Sequence, residues 1–164
     1  MKRFGRIVVL NGTSSSGKTT LAKEIQAKCS EVYLHCALDA FWDMTPIGVP
    51  AGSKNFPNMK LAIAKSIKAL AETGHNVILD IVFCGQKTYF EITEELKGFD
   101  VKIVKVECPL SELENRELVR GNRAIGLAKS QFDSIHVGVK YDLTVNTFEQ
   151  SLENCAQKII NNLS

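Results

Sequence analysis

The stretch NGTSSSGKTT, residues 11–20, directly follows the apolar run RIVVL. From Gly12 to Thr19 it fits the pattern G-x-x-x-x-G-K-[ST] of a phosphate-binding P-loop. The glycines Gly12 and Gly17 allow a turn that points backbone N–H groups inward, and the helix that follows adds its positive end. Because a strand pattern precedes the motif and a helical pattern follows it, the sequence predicts a phosphate site at the end of the first strand. The alternative is a flexible Gly/Ser loop before an ordinary helix.

The P-loop pattern assigns a role to each of its positions. We expect Lys18 to contact the β- and γ-phosphates of ATP, and the Thr19 hydroxyl to bind Mg²⁺. The predicted ATP-binding residues of the loop are Gly12, Thr13, Ser14, Ser15, Ser16, Gly17, Lys18, Thr19 and Thr20.

Short apolar runs alternate with helical patterns along the whole chain. The runs are residues 6–10, 33–38, 76–80, 101–106 and, more weakly, 143–145. Strands that are apolar throughout indicate a parallel sheet that helices cover on both faces. The sequence therefore predicts an α/β, three-layer P-loop NTPase fold with a five-stranded parallel sheet. We expect one domain, residues 1–164, with a helical lid at about 116–135.

Local signals predict where several helices begin and end. Gly74 is expected to end the helix that carries the apolar stripe Met59, Ile63, Ile67 and Leu70. The capping-box patterns Ser111-x-x-Glu114 and Thr147-x-x-Gln150 are expected to open two later helices.

Composition and charge exclude several classes of function. The 164 residues include 20 Lys and Arg and 18 Asp and Glu, a formal charge of +2, so nothing favours nucleic acid or an anionic membrane as a partner. The five cysteines form no C-x-x-C pair, which argues against a zinc site or a disulfide framework. The first apolar run is too short for a membrane span or a signal peptide. We expect a cytoplasmic protein.

Two aspartates follow predicted strands and so should lie at the carboxyl edge of the sheet. Asp80 closes the run VILD and is a candidate second anchor for Mg²⁺, usually through water; the alternative is a cap on the next turn. Asp39, in CALDAFWD, could orient an acceptor hydroxyl and take its proton. It could equally be the N-cap of a short helix through Trp42.

Three of the five arginines of the chain are close together, in NRELVRGNR. Arg116 and Arg120 are four residues apart and share one face of a predicted helix, and Arg123 follows just past its end. We expect a lid in which one guanidinium stacks on adenine and others neutralise charge on the transferred phosphoryl group. The alternative is a solvated charged surface.

These segments together resemble the chloramphenicol phosphotransferase family of P-loop kinases, which has the adenylate-kinase-like fold. The matching stretches are IVVLNGTSSSGKTT, ALDAFWDMTP, VILDIVF and RGNRAIGLAKSQFDSIHVGVKYDLTVNT. The resemblance implies that Asp39 is the general base and that Arg120 and Arg123 act from the lid. A wider likeness to nucleotide kinases implies that Arg116 is the adenine platform. The segment between DMTP and Met59 is shorter than in the family, which puts chloramphenicol itself in doubt as the substrate.

The function that we expect is ATP-dependent O-phosphotransfer to a small hydroxylated molecule, with ATP and Mg²⁺ as cofactors. The alternatives are a nucleoside or nucleotide kinase, or a nucleotide-gated binding protein with slow ATPase activity, for which Gln86 is the candidate water-positioning residue. No arginine occurs between residues 7 and 115, and the irregular stretch 45–57 contains only Lys54 as a cation. Because arginine is the usual clamp for phosphate and carboxylate, this absence predicts a neutral acceptor. Aromatic side chains that are candidates for its pocket are Phe41, Trp42, Phe56 and Phe83, some of which are expected to belong to the core.

Overall fold

The computed structural model of the protein describes residues 3–49, 52, 54, 58–121 and 125–163. Strands and helices alternate along the chain, as the sequence predicts. In order they are β1 (Ile7–Asn11), α1 (Lys18–Lys28), β2 (Tyr33–Ala37), α2 (Leu38–Trp42), α3 (Met59–Glu72), β3 (Asn76–Ile81), α4 (Gly85–Glu95), β4 (Val101–Glu107), α5 (Leu110–Arg120), α6 (Leu127–Phe132), β5 (Leu143–Asn146) and α7 (Leu152–Ile160).

The five strands form one parallel sheet in the order β2-β3-β1-β4-β5. β1 lies at the centre, paired with β3 on one side and β4 on the other, and its five residues are all buried. Because all strands run the same way, their carboxyl ends meet at one edge, where ligands bind in open α/β sheets. The P-loop after β1 is therefore at the middle of that edge.

Each face of the sheet is covered by its own apolar core, which gives the three predicted layers. On one face, Ile63 and Ile67 of α3 and Ile92 of α4 pack against the sheet. On the other face, Leu21 and Ile25 of α1 pack with the helix α7. The predicted α/β fold with five parallel strands is confirmed, and the strand boundaries differ from the predicted runs by at most one residue at either end.

The helix ends match the predicted signals less well. α3 ends at Glu72, and Gly74 adopts the predicted left-handed conformation (φ 90°) just beyond it. Both predicted capping boxes are wrong. α5 begins at Leu110 after Pro109, one residue before the predicted Ser111. α7 begins at Leu152, and the Ser151 hydroxyl, not Thr147, caps it by accepting from the Asn154 N–H at 3.1 Å.

The irregular stretch 45–57 lies only partly within the described residues. Residues 50, 51, 53 and 55–57 are outside them, and Phe56 with them. Of the aromatic candidates for the acceptor pocket, Phe83 belongs to the core, where it is 1% exposed and packs against Tyr89. None of the helices in the described part of the chain is long and apolar enough to cross a membrane.

Candidate active site

The P-loop is a tight turn between β1 and α1 whose backbone depends on its two glycines for different reasons. Gly17 has φ 90°, in the region that side chains disfavour. Gly12 has no such conformation, but a Cβ there would lie 2.5 Å from the Val106 carbonyl oxygen on β4. Ser15 adopts a left-handed φ of 63° without being glycine. The close approach of β4 and the turn itself therefore account for the motif.

The Lys18 side chain is folded back across its own loop. Its ammonium donates to the carbonyl oxygens of Gly12 and Thr13, each at 2.8 Å, and the residue is only 7% exposed. A buried ammonium at this position puts a positive charge at the centre of the phosphate-binding turn. This is the position at which the sequence places the contact to the β- and γ-phosphates.

Thr19 and Asp80 meet, although they are 61 residues apart in sequence. The Thr19 hydroxyl donates to Asp80 Oδ2 at 2.6 Å, and the Asp80 carboxyl is buried at the end of β3. The ring nitrogen Nε2 of His35 is 3.5 Å from the same oxygen. That atom makes no well-directed hydrogen bond within the described residues, so we regard the His35 contact as electrostatic.

The ionisation of Asp80 suits cation binding. Burial alone would raise the pKa of the Asp80 carboxyl. Contacts with His35 and Thr19 and the charge of Lys18 outweigh burial, so the pKa lies below its usual value. A hydroxyl and an ionised carboxylate are the hard oxygen ligands that Mg²⁺ prefers. The residue pair therefore fits the cation that the sequence predicts there.

Arg116 joins α5 to the P-loop. Its guanidinium contacts Glu112 at 2.7 Å, the Ser15 carbonyl at 3.4 Å and the Thr147 side chain and carbonyl at 3.3 Å. The Thr147 hydroxyl in turn donates to the Ser16 carbonyl at 2.7 Å. Arg116 is thus a half-buried, oriented group beside the P-loop, which disfavours the solvated-surface alternative for this residue.

One cavity of about 540 Å³ collects most of the predicted site residues. It is open to solvent and runs along the carboxyl edge of β2, β3 and β1. Predicted residues that line it are Ser15, Gly17, Lys18, Thr19, Thr20, Asp39, Asp80, Arg116 and Arg120. The other P-loop residues, Gly12, Thr13, Ser14 and Ser16, are buried and do not line this cavity. Arg123 lies outside the described residues.

Asp39 is at the end of this cavity that β2 and β3 border. It is the second residue of α2 and is exposed, while Ala37 occupies the N-cap position. Since the helix begins one residue before Asp39, this aspartate is not the N-cap that the alternative interpretation required. The neighbouring lining residues are Ala37, Leu38, Ile81 and Val82.

Two contacts of the region between α5 and β5 have no local signal in the sequence. Glu117, on α5, is 3% exposed and accepts from the N–H groups of Gly126 (3.0 Å) and Ala128 (2.6 Å). It thereby holds the start of α6. On α6, Gln131 Oε1 accepts from the Ser14 N–H of the P-loop at 2.8 Å. Only the tertiary structure shows that α6 is docked on the phosphate-binding turn.

A buried polar network fastens the same region to the end of β1. The Asn11 amide donates to Tyr141 Oη at 2.6 Å and to the Ile135 carbonyl at 3.3 Å, and its oxygen accepts from the Phe83 N–H at 2.8 Å. His136 Nδ1 is 2.6 Å from Tyr141 Oη. Burial, reinforced by the charge of nearby Lys105, lowers the pKa of His136 to about 4. Burial also raises the pKa of Tyr141 to about 12.

This network makes stability depend on pH in a defined direction. Above about pH 6.5 the imidazole of His136 is neutral in the folded and in the unfolded protein. Below that pH the imidazole of the unfolded chain becomes protonated, whereas in the folded protein it stays neutral down to about pH 4. We expect the free energy of unfolding to fall by about 1 to 2 kcal/mol over this window, after discounting for solvent screening.

His136→Asn keeps a polar group for Tyr141 and removes the titration, so its stability should fall less steeply over the same range. Urea unfolding at pH 7 and pH 4.5 measures the difference. His75→Asn, at an exposed histidine, is the control and should behave as the wild type does. Equal slopes for His136→Asn and the wild type would show that His136 is not responsible.

The position of the P-loop defines the class of the protein. It follows the central strand of a parallel sheet in the order β2-β3-β1-β4-β5, and arginines from α5 share its cavity. This arrangement is that of a P-loop kinase.

Comparisons with known proteins identify the family. The sequence profile described as chloramphenicol phosphotransferase-like protein matches residues 5–164, so the chain belongs to that family. A proposed O-phosphotransferase of Mycobacterium tuberculosis is 26% identical over 181 aligned residues, which cover 94% of this chain and 80% of the relative.

Solved structures show the same fold at lower identity. The APS kinase of Mycobacterium tuberculosis, in complex with AMPPNP and APS, has a TM-score of 0.79 at 19% identity and covers 98% of each chain. A gluconokinase of Sinorhizobium meliloti has a TM-score of 0.68 at 18% identity and covers 99% of this chain and 95% of its own. The predicted resemblance to P-loop kinases is confirmed.

Proposed function

We propose that the protein transfers the γ-phosphate of ATP to a hydroxyl group of a small molecule. The observation that carries this proposal is the shared cavity, in which Lys18, the Thr19–Asp80 pair and Asp39 line one continuous space. Binding and transfer of a triphosphate group require Lys18, Thr19 and Asp80. A hydroxyl acceptor requires a group such as Asp39 at the other end of the cavity. Membership of the chloramphenicol phosphotransferase-like family supports the same reaction.

In the proposed reaction the acceptor oxygen forms a bond to the γ-phosphorus while the bond to the β–γ bridging oxygen breaks. ADP leaves, and the hydroxyl proton passes to the Asp39 carboxylate. A free aspartate has a pKa near ~3.9 and is a weak base for an alcohol. Because the transition state of phosphoryl transfer is loose, the proton can leave late, and orientation of the hydroxyl accounts for much of the contribution of Asp39.

Part of the positive charge at the site of the transferred phosphoryl group would come from Mg²⁺. We propose that Thr19, directly, and Asp80, through water, would hold Mg²⁺, which would supply positive charge to offset that of the β- and γ-phosphates. In the part of the chain that the structure describes, no three His, Cys, Asp or Glu side chains cluster as a preformed metal site. This fits a cation that takes most of its ligands from the nucleotide and from water.

Residues 116–135 are proposed to act as a lid over the nucleotide, within the single domain that the sequence predicts. We propose that Arg116, whose side chain contacts Glu112 and Thr147, stacks on the adenine. Arg120 lines the cavity and, with Arg123, would neutralise charge on the phosphoryl group as it transfers.

Acceptor-dependent release of ADP tests the proposal. With ATP and Mg²⁺ fixed, a coupled assay would screen nucleosides, nucleoside monophosphates, acidic polyols and neutral aromatic alcohols that include chloramphenicol. We expect slow release without acceptor and saturable, faster release with at least one class, together with a phosphorylated product by mass spectrometry. Release that no acceptor accelerates would contradict a kinase.

That outcome would favour the alternative of a binding protein with slow ATPase activity, which one contact supports. Gln131 contacts the P-loop at Ser14, although neither Gln131 nor Gln86, the candidate from the sequence, lines the cavity. A glutamine beside the transferred phosphate could orient water instead of an acceptor.

A further inference from the structure

Lys60 is a half-buried cation at the acceptor end of the site. It lies in the first turn of α3, where its ammonium donates to the Val82 carbonyl at 2.6 Å and to Cys84 Sγ at 2.8 Å. Val82 follows β3 and lines the cavity next to Asp39. The Lys60 ammonium is therefore bonded to a residue of the cavity wall, although Lys60 itself is not a lining residue.

Within the described residues no carboxylate neutralises the charge of Lys60. Among the residues that the structure describes, no carboxylate lies within ion-pair distance of it, and the side chains outside them include no Asp or Glu. Lys65 and Lys68, on the same helix, differ in this respect because both pair with Glu95. A half-buried charge without a partner is costly, and an anionic ligand would relieve the cost.

The geometry leaves room for such a ligand. An ammonium has three donors, and the two acceptors Val82 and Cys84 engage two of them. Among the described residues no acceptor engages the third donor, and the carbonyl that holds the ammonium belongs to Val82, a residue of the cavity wall. Both backbone and thiol contacts restrict the Lys60 side chain, so little of its conformational freedom remains to be lost when a ligand binds.

We propose that Lys60 selects the acceptor, and that the acceptor is a small hydroxy acid carrying a single carboxylate. This inference rests on the proposed function. One ammonium neutralises one negative charge, so a carboxylate would leave no uncompensated charge in this half-buried site, whereas a phosphate monoester dianion would leave one. Because residues 7–115 contain no arginine, they offer no planar guanidinium for bidentate binding. They can still offer the ammonium of a lysine. Lys60 therefore favours an anionic acceptor, whereas the sequence alone predicts a neutral one.

Acid and amide pairs of the same compound test the proposal. The pairs are glycerate and glyceramide, gluconate and gluconamide, and mandelate and mandelamide, with a nucleoside monophosphate and its nucleoside as the phosphate arm. We expect at least one acid to exceed its amide roughly 10- to 100-fold in kcat/KM for ADP release, the range for a hydrogen bond to a charged group. The monophosphate should show no such advantage.

Three variants assign the preference to Lys60. Lys60→Met keeps the apolar stem and should abolish the preference for acid over amide, mainly by raising KM for the acid. Lys60→Arg should retain part of it, and Lys60→Glu should favour the amide. Lys65→Met is the matched control, because it removes one charge from an exposed position of the same helix and should leave the preference unchanged. Thermal melts of all four establish that they are folded.

A second measurement does not depend on phosphoryl transfer. Cys84 is exposed and touches the Lys60 ammonium, so an anion bound there should slow its alkylation by iodoacetamide, measured by peptide mass spectrometry. The acids should protect Cys84 in the wild type and in Lys65→Met but not in Lys60→Met, and the amides should protect in none.

The two measurements separate the possible failures. Protection by acids without any ADP release would support the anion site and contradict the kinase proposal. Transfer to acid and amide at equal rates, a preference for the monophosphate, a preference that survives Lys60→Met, or no protection by any acid would each overturn the assignment of Lys60.

Discussion

Lys18→Met should reduce phosphoryl transfer on the order of 10³-fold or more and weaken ATP binding. The reason is the loss of a buried positive charge at the phosphate-binding turn, beside which negative charge develops in the transition state. Single-turnover kinetics and a nucleotide-binding titration measure the two effects. Lys28→Met, at the far end of the same helix, is the control and should retain activity.

The structure adds a cost in stability that the motif alone does not indicate. Because Lys18 donates to the Gly12 and Thr13 carbonyls, its loss leaves two acceptors of the loop without this donor. We expect a destabilisation of about 1 to 2 kcal/mol in urea unfolding. A variant that remains folded and turns over at the wild-type rate would contradict the P-loop assignment.

Asp39→Asn should lower turnover by about 10²- to 10⁴-fold, the usual range for general-base assistance, with ATP affinity little changed. The amide keeps the shape of the side chain but cannot accept the proton or align the hydroxyl as strongly. Pre-steady-state rates with a saturating acceptor, beside ATP titrations, separate the two quantities.

Asp43→Asn provides a close control for this substitution. Asp43 is exposed and terminates the same short helix, but it is not among the residues that line the cavity. Its replacement should leave turnover within a factor of about two, as for a surface substitution. If Asp39→Asn instead lowers ATP affinity or thermal stability while turnover holds, Asp39 has a structural role only.

The two substitutions test predictions of different kinds, one from a local motif and one from the arrangement of the strands. Lys18 belongs to a motif whose residues are adjacent in sequence, and the structure shows the turn that the motif predicts. Asp39 depends on the arrangement of β2 beside β3, which brings it to the same cavity as the P-loop. Its role as the base is the prediction that Asp39→Asn tests.

The amino-acid sequence by itself determined the layered α/β fold and the phosphate-binding turn. An apolar run such as that of IVVLN indicates a buried strand, because a strand that is covered on both faces has no polar side. The P-loop is equally local, since its glycines, lysine and threonine act within eight consecutive residues. Asp80 was also predictable, because the end of a buried strand places a carboxylate at the carboxyl edge of the sheet.

Only the tertiary structure decided which partner each polar side chain takes. Thr147 matches a capping box, yet its hydroxyl bonds to Ser16, and Ser151 caps the helix instead. Phe83 follows the same strand as Asp80 but points into the core. Gln131 and Lys60 carry no motif, and their contacts with Ser14 and Val82 span 117 and 22 residues. Such contacts depend on the packing of whole helices against the sheet, and local sequence patterns do not encode them.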